Sequence, residues 1–137
     1  MWTESEGNMN AVVHFDLPMQ DAKRATTFYQ TVFGWEISDW PGMEHPYAMA
    51  LTTEVDQTTK RPVHPGAING GLNGDPAVTT PIIVLATDDI DASIATVIVH
   101  GGSIVREKVN VGGMGWYAFI KDTEGNVIGL WQDISQG

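Results

Sequence analysis

The chain has 137 residues, 42% of them apolar and 18% charged, with a formal net charge of −10 and no cysteine. This length fits one ordinary domain with its own core. Without cysteine there is no disulfide, thiolate nucleophile or Cys-ligated zinc. The negative charge argues against a nucleic-acid partner, because phosphate binding needs clustered Lys and Arg. No apolar run approaches the roughly 18 residues of a membrane-spanning helix. We therefore expect no membrane partner and a cytoplasmic location.

The N-terminal half predicts four strands and one helix after a polar tail at residues 1–10. Residues 12–17 alternate in polarity and form the first strand, which Pro18 ends because proline cannot donate to a strand ladder. A helix begins at Asp21, has apolar residues at spacings of three and four, and stops at Gly34. The three remaining strands of this half are predicted at 35–38, 47–52 and 67–72.

The C-terminal half repeats this order, and its copy of the first strand and helix begins 68 positions later without a gap. The aligned pairs are Leu17 with Leu85, Asp21 with Asp89, and Gly34 with Gly102. A strand at 81–86 leads to a helix that Thr87 or Asp88 can cap, and further strands are predicted at 103–111, 116–121 and 127–131. Each half is therefore a β-α-β-β-β module, and the fold class is α+β. The modules, at about 11–74 and 80–132, form a single domain because neither has enough core alone.

Three segments of the sequence resemble the vicinal oxygen chelate superfamily, which includes glyoxalase I, extradiol dioxygenases and bleomycin-resistance proteins. They are HFDLPMQDAKRATTFYQTVFGW at 14–35, TDDIDASIATVIVHGG at 87–102 and KDTEGNVIGLW at 121–131. The resemblance extends over residues 11–132. It implies tandem βαβββ modules around one shared cleft and, by family analogy, a homodimer. The sequence is most similar to small glyoxalase-like proteins.

Metalloenzymes of this superfamily hold a divalent ion on four inward side chains, one from the first and one from the fourth strand of each module. The first-strand positions fall on His14, a competent ligand, and on Ile82, which has no donor atom. The fourth-strand positions fall on Gly129 and near Gly70. One imidazole is far from the three or four protein ligands of a stable site. We therefore predict no family-type metal site and no cofactor.

His14 and Asp16 are the candidate catalytic residues. They stand at i and i+2 on the first strand, so their side chains point to the same face, about 7 Å apart at the backbone. Asp16 can then orient the imidazole as a general base. The alternative is a partly buried pair that forms hydrogen bonds without chemistry.

Aromatic side chains are candidates for the lining of the cleft. The predicted lining consists of Trp40, Tyr47, Gly70, Ile82, Trp116, Gly129 and Trp131. Gly129 is expected to leave space where a metal-binding carboxylate would stand, with Trp131 as a wall. Core or dimer-interface packing explains each aromatic residue equally well. Trp116 and Tyr117 alternate in direction, so at most one of them lines a given cleft.

The sequence favours a metal-independent protein of the glyoxalase/bleomycin-resistance type that binds an unidentified small molecule in an aromatic-lined cleft. The first alternative is a lyase or isomerase in which His14, oriented by Asp16, moves a proton. The second is a divalent-metal enzyme related to glyoxalase or the dioxygenases, with other ligands. The choice between a binding protein and an enzyme stays open, because a fold does not determine a reaction.

Overall fold

The computed structural model describes residues 9–134, so all but the last two residues of the predicted tail at 1–10 lie outside the described residues. Over the described range the chain forms eight strands and two helices in the order β-α-β-β-β-β-α-β-β-β. The α+β class and the two βαβββ modules are therefore confirmed. Neither helix in this range is long and apolar enough to cross a bilayer.

The secondary structure follows the predicted repeat. The first module consists of β1 (Val12–Pro18), α1 (Ala22–Phe33), β2 (Glu36–Asp39), β3 (Tyr47–Leu51) and β4 (Gly70–Asn73). The second consists of β5 (Ile82–Ala86), α2 (Ile90–Val99), β6 (Ser103–Asn110), β7 (Gly115–Lys121) and β8 (Val127–Asp133). By contacts the chain divides into a first unit, His14–Ile82, and a second unit formed by the described residues from Ile83 onward with those before His14.

In the first unit the strand order is β2-β3-β4-β1, with β1 parallel to β4 and the other pairs antiparallel. The register places Asp16 beside Gly71, and Tyr47 beside Asn73. Because side chains alternate along a strand, these four residues share one face of the sheet. Phe15 lies on the opposite face, where its ring contacts Trp35, which follows α1. The two ring centroids are 5.8 Å apart.

The ends of α1 agree with the sequence prediction, but its apolar stripe does not. Asp21 caps the first turn by accepting from the Arg24 N–H at 2.9 Å, and Gly34 ends the helix with φ of 72°. No residue of α1 is buried, and Phe33 is 59% exposed. Tyr29 instead stacks on the Trp35 ring at 4.8 Å. This helix is therefore held by a few aromatic contacts rather than by a buried stripe.

Strand β4 begins at Gly70, three residues later than predicted. The cause lies in Asn69, whose side-chain oxygen accepts hydrogen bonds from the N–H groups of Thr52 at 2.7 Å and Thr53 at 3.1 Å. The Asn69 side chain therefore accepts the hydrogen bonds of the backbone N–H groups just after β3, where the prediction placed further pairing between β3 and β4.

In the second unit the strand order is β6-β7-β8-β5, with β5 parallel to β8. The core lies between α2 and one face of this sheet, around Ile90, Ala118, Ile120 and Leu130. The cap of α2 is Asp89, which accepts from the Ala92 N–H at 3.0 Å. The prediction of Thr87 or Asp88 as the cap was wrong, by two residues and by one residue respectively. The Thr87 hydroxyl instead bonds the Ser93 hydroxyl at 2.6 Å.

Candidate functional site

A buried hydrogen-bond network joins β1, β3 and β4 in the first unit. Asp16 has 0% of its surface exposed. Its Oδ1 accepts from the Tyr47 hydroxyl at 2.8 Å, and its Oδ2 accepts from Asn73 Nδ2 at 3.0 Å. Nε2 of His14 lies 3.2 Å from Asp16 Oδ1 and 2.9 Å from the Tyr47 hydroxyl. The structure therefore brings His14 and Asp16 into contact and adds Tyr47 and Asn73 to the pair.

The network needs a glycine at position 71. The register places Gly71 beside Asp16 on β1 and beside Met49 on β3. The Tyr47 ring lies over this glycine, and a Cβ added there would overlap the ring and its hydroxyl. Gly71 thus provides the space through which Tyr47 reaches Asp16.

Burial and charge make the phenol of Tyr47 a poor acid. Burial raises the pKa of Tyr47 well above 10.0, and the charge of Asp16 and the hydrogen bond to it raise the pKa further. The network is also complete: within residues 9–134, each buried polar side-chain atom has a hydrogen-bond partner. A buried carboxylate that receives several donors is stabilised relative to an unpaired one.

A Tyr47→Phe variant tests this assignment through the pH dependence of stability. Because the folded state raises the pKa of Tyr47, its stabilising contribution is complete below pH 10 and is lost as pH rises through the folded-state pKa. We expect Tyr47→Phe to cost about 1–3 kcal/mol near neutral pH, since it removes a donor from a charged acceptor. The difference from wild type should shrink above pH 10. Urea unfolding from pH 7 to pH 11 measures it.

Tyr29→Phe is the matched control, because within the described chain no hydrogen bond involves the Tyr29 hydroxyl. We expect it to leave the wild-type profile in place. A difference between Tyr47→Phe and wild type that is constant across this pH range would contradict the assigned role of burial.

The second unit does not leave the space that was predicted above Gly129. A Cβ at Gly129 would lie 2.9 Å from Tyr117 Cε1 and 3.0 Å from Val84 Cγ2. The volume is therefore filled by the Tyr117 ring and Val84. This corrects the expectation that Gly129 opens a gap in place of a carboxylate.

The two modules share one arrangement, in which a tyrosine covers a glycine. On β3, Met49 pairs with Gly71, and on β7, Phe119 pairs with Gly129. Tyr47 and Tyr117 each stand two residues before the paired residue and lie over the glycine. The pairing of the parallel strands is also the same in both modules. Asp16 pairs with Gly71, and Val84, the counterpart of Asp16 in the repeat, pairs with Gly129.

The module-one counterpart of Gly129 is therefore Gly71 rather than Gly70. A Cβ at Gly70 would lie 2.5 Å from the Phe15 carbonyl oxygen and 2.6 Å from the Phe15 ring, on the opposite face from His14. The physical reason for this correction is that a shift of one residue moves a side chain to the other face of a strand.

Trp116 is also placed differently from the prediction. It packs against the cluster around Ile90 on the α2 face, and Lys108 Nζ lies 4.3 Å from its ring centroid. Tyr117 takes the other face, where its ring lies 6.2 Å from that of Trp131. Because side chains alternate along a strand, Trp116 and Tyr117 point to opposite faces of β7, and Tyr117 is the one on the face of Trp131.

The other predicted lining residues lie in or beside strands. Ile82 opens β5 and is 2% exposed, and Tyr47 is 7% exposed. Trp40 follows β2 and is half-buried, and its backbone N–H donates to the Tyr47 carbonyl at 2.9 Å. Asn73 was missed because its Asn-Gly-Asp-Pro context indicates a turn. The one signal for it in the sequence is that positions 71 and 73 share a strand face.

Similarity to known proteins agrees with this architecture. Residues 11–52 match the family model described as bleomycin resistance protein-like N-terminal. The putative glyoxylase CFP32 of Mycobacterium bovis is 34% identical over 119 residues, which are 85% of this chain and 43% of that protein. The Mycobacterium tuberculosis protein of the same name matches to the same extent. The chain thus spans less than half the length of these curated relatives.

Solved structures show the same fold at lower identity. A variant of Streptomyces coelicolor methylmalonyl-CoA epimerase in complex with 2-nitronate-propionyl-CoA has a TM-score of 0.66 at 19% identity, covering 90% of this chain and 97% of that one. Methylmalonyl-CoA epimerase from M. tuberculosis has a TM-score of 0.61 at 16% identity, covering 90% and 88%. The chain therefore shares the fold of these structures, and its residues 11–52 are similar to the bleomycin-resistance-like family.

The metal arrangement of vicinal oxygen chelate enzymes does not fit these residues. Of the four ligand positions, His14 has a donor, whereas Ile82, Gly71 and Gly129 have none. A carboxylate at either glycine would run into the covering tyrosine. No group of three or more His, Asp or Glu within residues 9–134 could hold a metal ion. His14 Nε2 is directed at Asp16 and Tyr47.

Proposed function

We propose that this chain is a small-molecule-binding protein of the glyoxalase/bleomycin-resistance type that binds its ligand without a divalent metal. The observation that supports this most is the covering of both glycines, Gly71 and Gly129, by tyrosine rings where metal-binding carboxylates would stand. His14 then serves as a polar group for orienting a ligand. Its side chain is 23% exposed at the edge of the buried network. Polar groups of this kind fix ligand orientation in mostly apolar sites.

Elemental analysis and thermal shift together test this function. We expect purified protein to contain no stoichiometric divalent metal, and millimolar Ni²⁺, Co²⁺, Mn²⁺ or Zn²⁺ to leave the Tm unchanged. Small metabolites and aromatic antibiotics that bind should raise the Tm by mass action. This rise should be lost in His14→Ala and kept in His100→Ala, a matched change at the exposed end of α2. One tightly bound ion per chain that His14→Ala removes would reject the proposal.

A second candidate function is a lyase or isomerase in which His14 moves a proton. The contact of 3.2 Å between His14 Nε2 and Asp16 Oδ1 favours it, because a carboxylate can orient and stabilise a catalytic imidazole. The epimerase of the same fold with methylmalonyl-CoA bound supplies a first substrate to test. If this candidate is right, deuterium from D₂O should enter the α-carbon of methylmalonyl-CoA in wild type and fail to enter in His14→Gln. Equal exchange in both proteins would reject it. The homodimer and the cytoplasmic location stay predictions.

A further inference from the structure

We infer that Nδ1 of His14 is the proton-accepting atom of this site, and that Asp16, Tyr47 and Asn73 are positioning residues that fix this tautomer. The inference deepens the proposed function and rests on it. It also defines the ligand class as a molecule that presents an O–H, N–H or acidic C–H group to the imidazole, in contrast to one that presents an oxyanion.

The hydrogen bonds around Asp16 show which of its oxygens receive donors. The N–H of Asp75 donates to Asn73 Oδ1 at 2.8 Å, and a backbone N–H can only donate. The amide nitrogen of Asn73 therefore points to Asp16 Oδ2, 3.0 Å away. With the Tyr47 hydroxyl donating to Oδ1 at 2.8 Å, both oxygens of Asp16 receive donors. Donors at both oxygens suit a carboxylate, and we infer this form for Asp16.

Counting protons then fixes His14. Its Nε2 lies 3.2 Å from Asp16 Oδ1 and 2.9 Å from the Tyr47 oxygen. The carboxylate can only accept, and the single proton of Tyr47 is given to Asp16. If Nε2 carried a lone pair, it would face two oxygen atoms with no proton between. Nε2 is therefore protonated, and Nδ1 of the neutral ring carries the lone pair.

This lone pair is accessible. Among the described residues, no hydrogen bond involves Nδ1 of His14. Over the same range every buried polar side-chain atom has a partner, so Nδ1 is not one of the buried atoms. The side chain is 23% exposed. A ligand atom can reach Nδ1 while the other edge of the ring is held by the network.

The proton transfer balances with the groups present. The ligand X–H bond breaks, its electron pair stays on X, and an N–H bond forms at Nδ1. The resulting imidazolium keeps its Nε2–H on the carboxylate of Asp16, which stabilises the new positive charge. A ligand carboxylate or phosphate oxygen would instead face the Nδ1 lone pair, and this contact is repulsive while the ring is neutral.

Long-range ¹H–¹⁵N correlation spectra of the imidazoles at pH 9 test the tautomer. For wild type we expect a protonated Nε2 and an unprotonated Nδ1 at His14. Tyr47→Phe should keep this state, because Asp16 still accepts from Nε2. Asp16→Asn should reverse it: Asn73 still donates to one side of residue 16, so the new amide turns its NH₂ toward Nε2. A purely structural role would not move the proton. His64 and His100 serve as internal references.

The ligand class is tested with a matched pair of aromatic probes. Benzamide, which offers N–H donors, should shift the Nδ1 resonance of His14, whereas benzoate should not. A wild-type His14 protonated at Nδ1, or a response to benzoate without one to benzamide, would overturn the inference. Those outcomes would leave the metal-independent binding proposal standing, because metal content and thermal shift test it separately.

Discussion

Replacing Asp16 with alanine is expected to lower the free energy of unfolding by about 3 kcal/mol, the scale of losing hydrogen bonds to a buried charge. The carboxylate has no exposed surface and receives donors from Tyr47 and Asn73. Its removal leaves the Tyr47 hydroxyl and the Asn73 amide buried without their carboxylate acceptor. The loss of these hydrogen bonds therefore outweighs the gain from no longer burying a carboxylate.

Urea unfolding at pH 7 measures this loss, with Asp91→Ala as the control. Asp91 is 70% exposed and pairs with Lys108 at 2.8 Å on the surface. An exposed pair of this kind contributes about 0–1 kcal/mol. We expect the Asp16 variant to lose several times more stability than the control. Equal losses would mean that the network contributes nothing beyond an ordinary surface contact.

The sequence predicted the fold and the first half of the network for clear physical reasons. Alternation along a strand puts His14 and Asp16 on one face, and the structure holds them 3.2 Å apart. The 68-residue repeat predicted both modules because each depends on the same helix start and glycine stop. These signals are local, and local geometry decides them.

The rest of the network depends on register between strands far apart in the chain. A segment with Gly70 and Gly71 together has little side-chain pattern to fix which glycine faces His14. Thr52 and Thr53 pair with Asn69 across a long loop, and this contact sets where β4 begins. The pattern of the sequence does not show which of these residues contact one another. The placement of Tyr47 over Gly71 is of this kind.

The tyrosine that covers a glycine has different surroundings in the two modules. In one module the covering tyrosine, Tyr47, joins a carboxylate and an imidazole. In the other, Tyr117 packs against Phe119 at 4.9 Å and Trp131 at 6.2 Å. The same backbone arrangement thus supports a polar network in one unit and an aromatic cluster in the other.

Gly71→Ala is expected to cost about 3–4 kcal/mol, combining overpacking with loss of the Tyr47 hydrogen bond to Asp16. The φ angle of Gly71 is not in the left-handed region, so alanine suits the backbone there. Without a clash, Gly→Ala at such a position is stabilising by about 0.4–1 kcal/mol. The predicted loss of stability therefore comes from the overlap of the new Cβ with Tyr47.

A double-mutant cycle isolates that ring. In a Tyr47→Ala background, Gly71→Ala should cost less than about 1 kcal/mol, because the overlapping atoms are gone. Tyr47→Phe should give no such rescue, since the new Cβ overlaps the ring as well as the hydroxyl. Gly129→Ala should cost less than Gly71→Ala, because its Cβ meets Tyr117 at 2.9 Å, a milder conflict. Urea unfolding of the four single variants and the two double variants tests the order. A full cost for Gly71→Ala in the Tyr47→Ala background would show that something other than Tyr47 requires glycine at position 71.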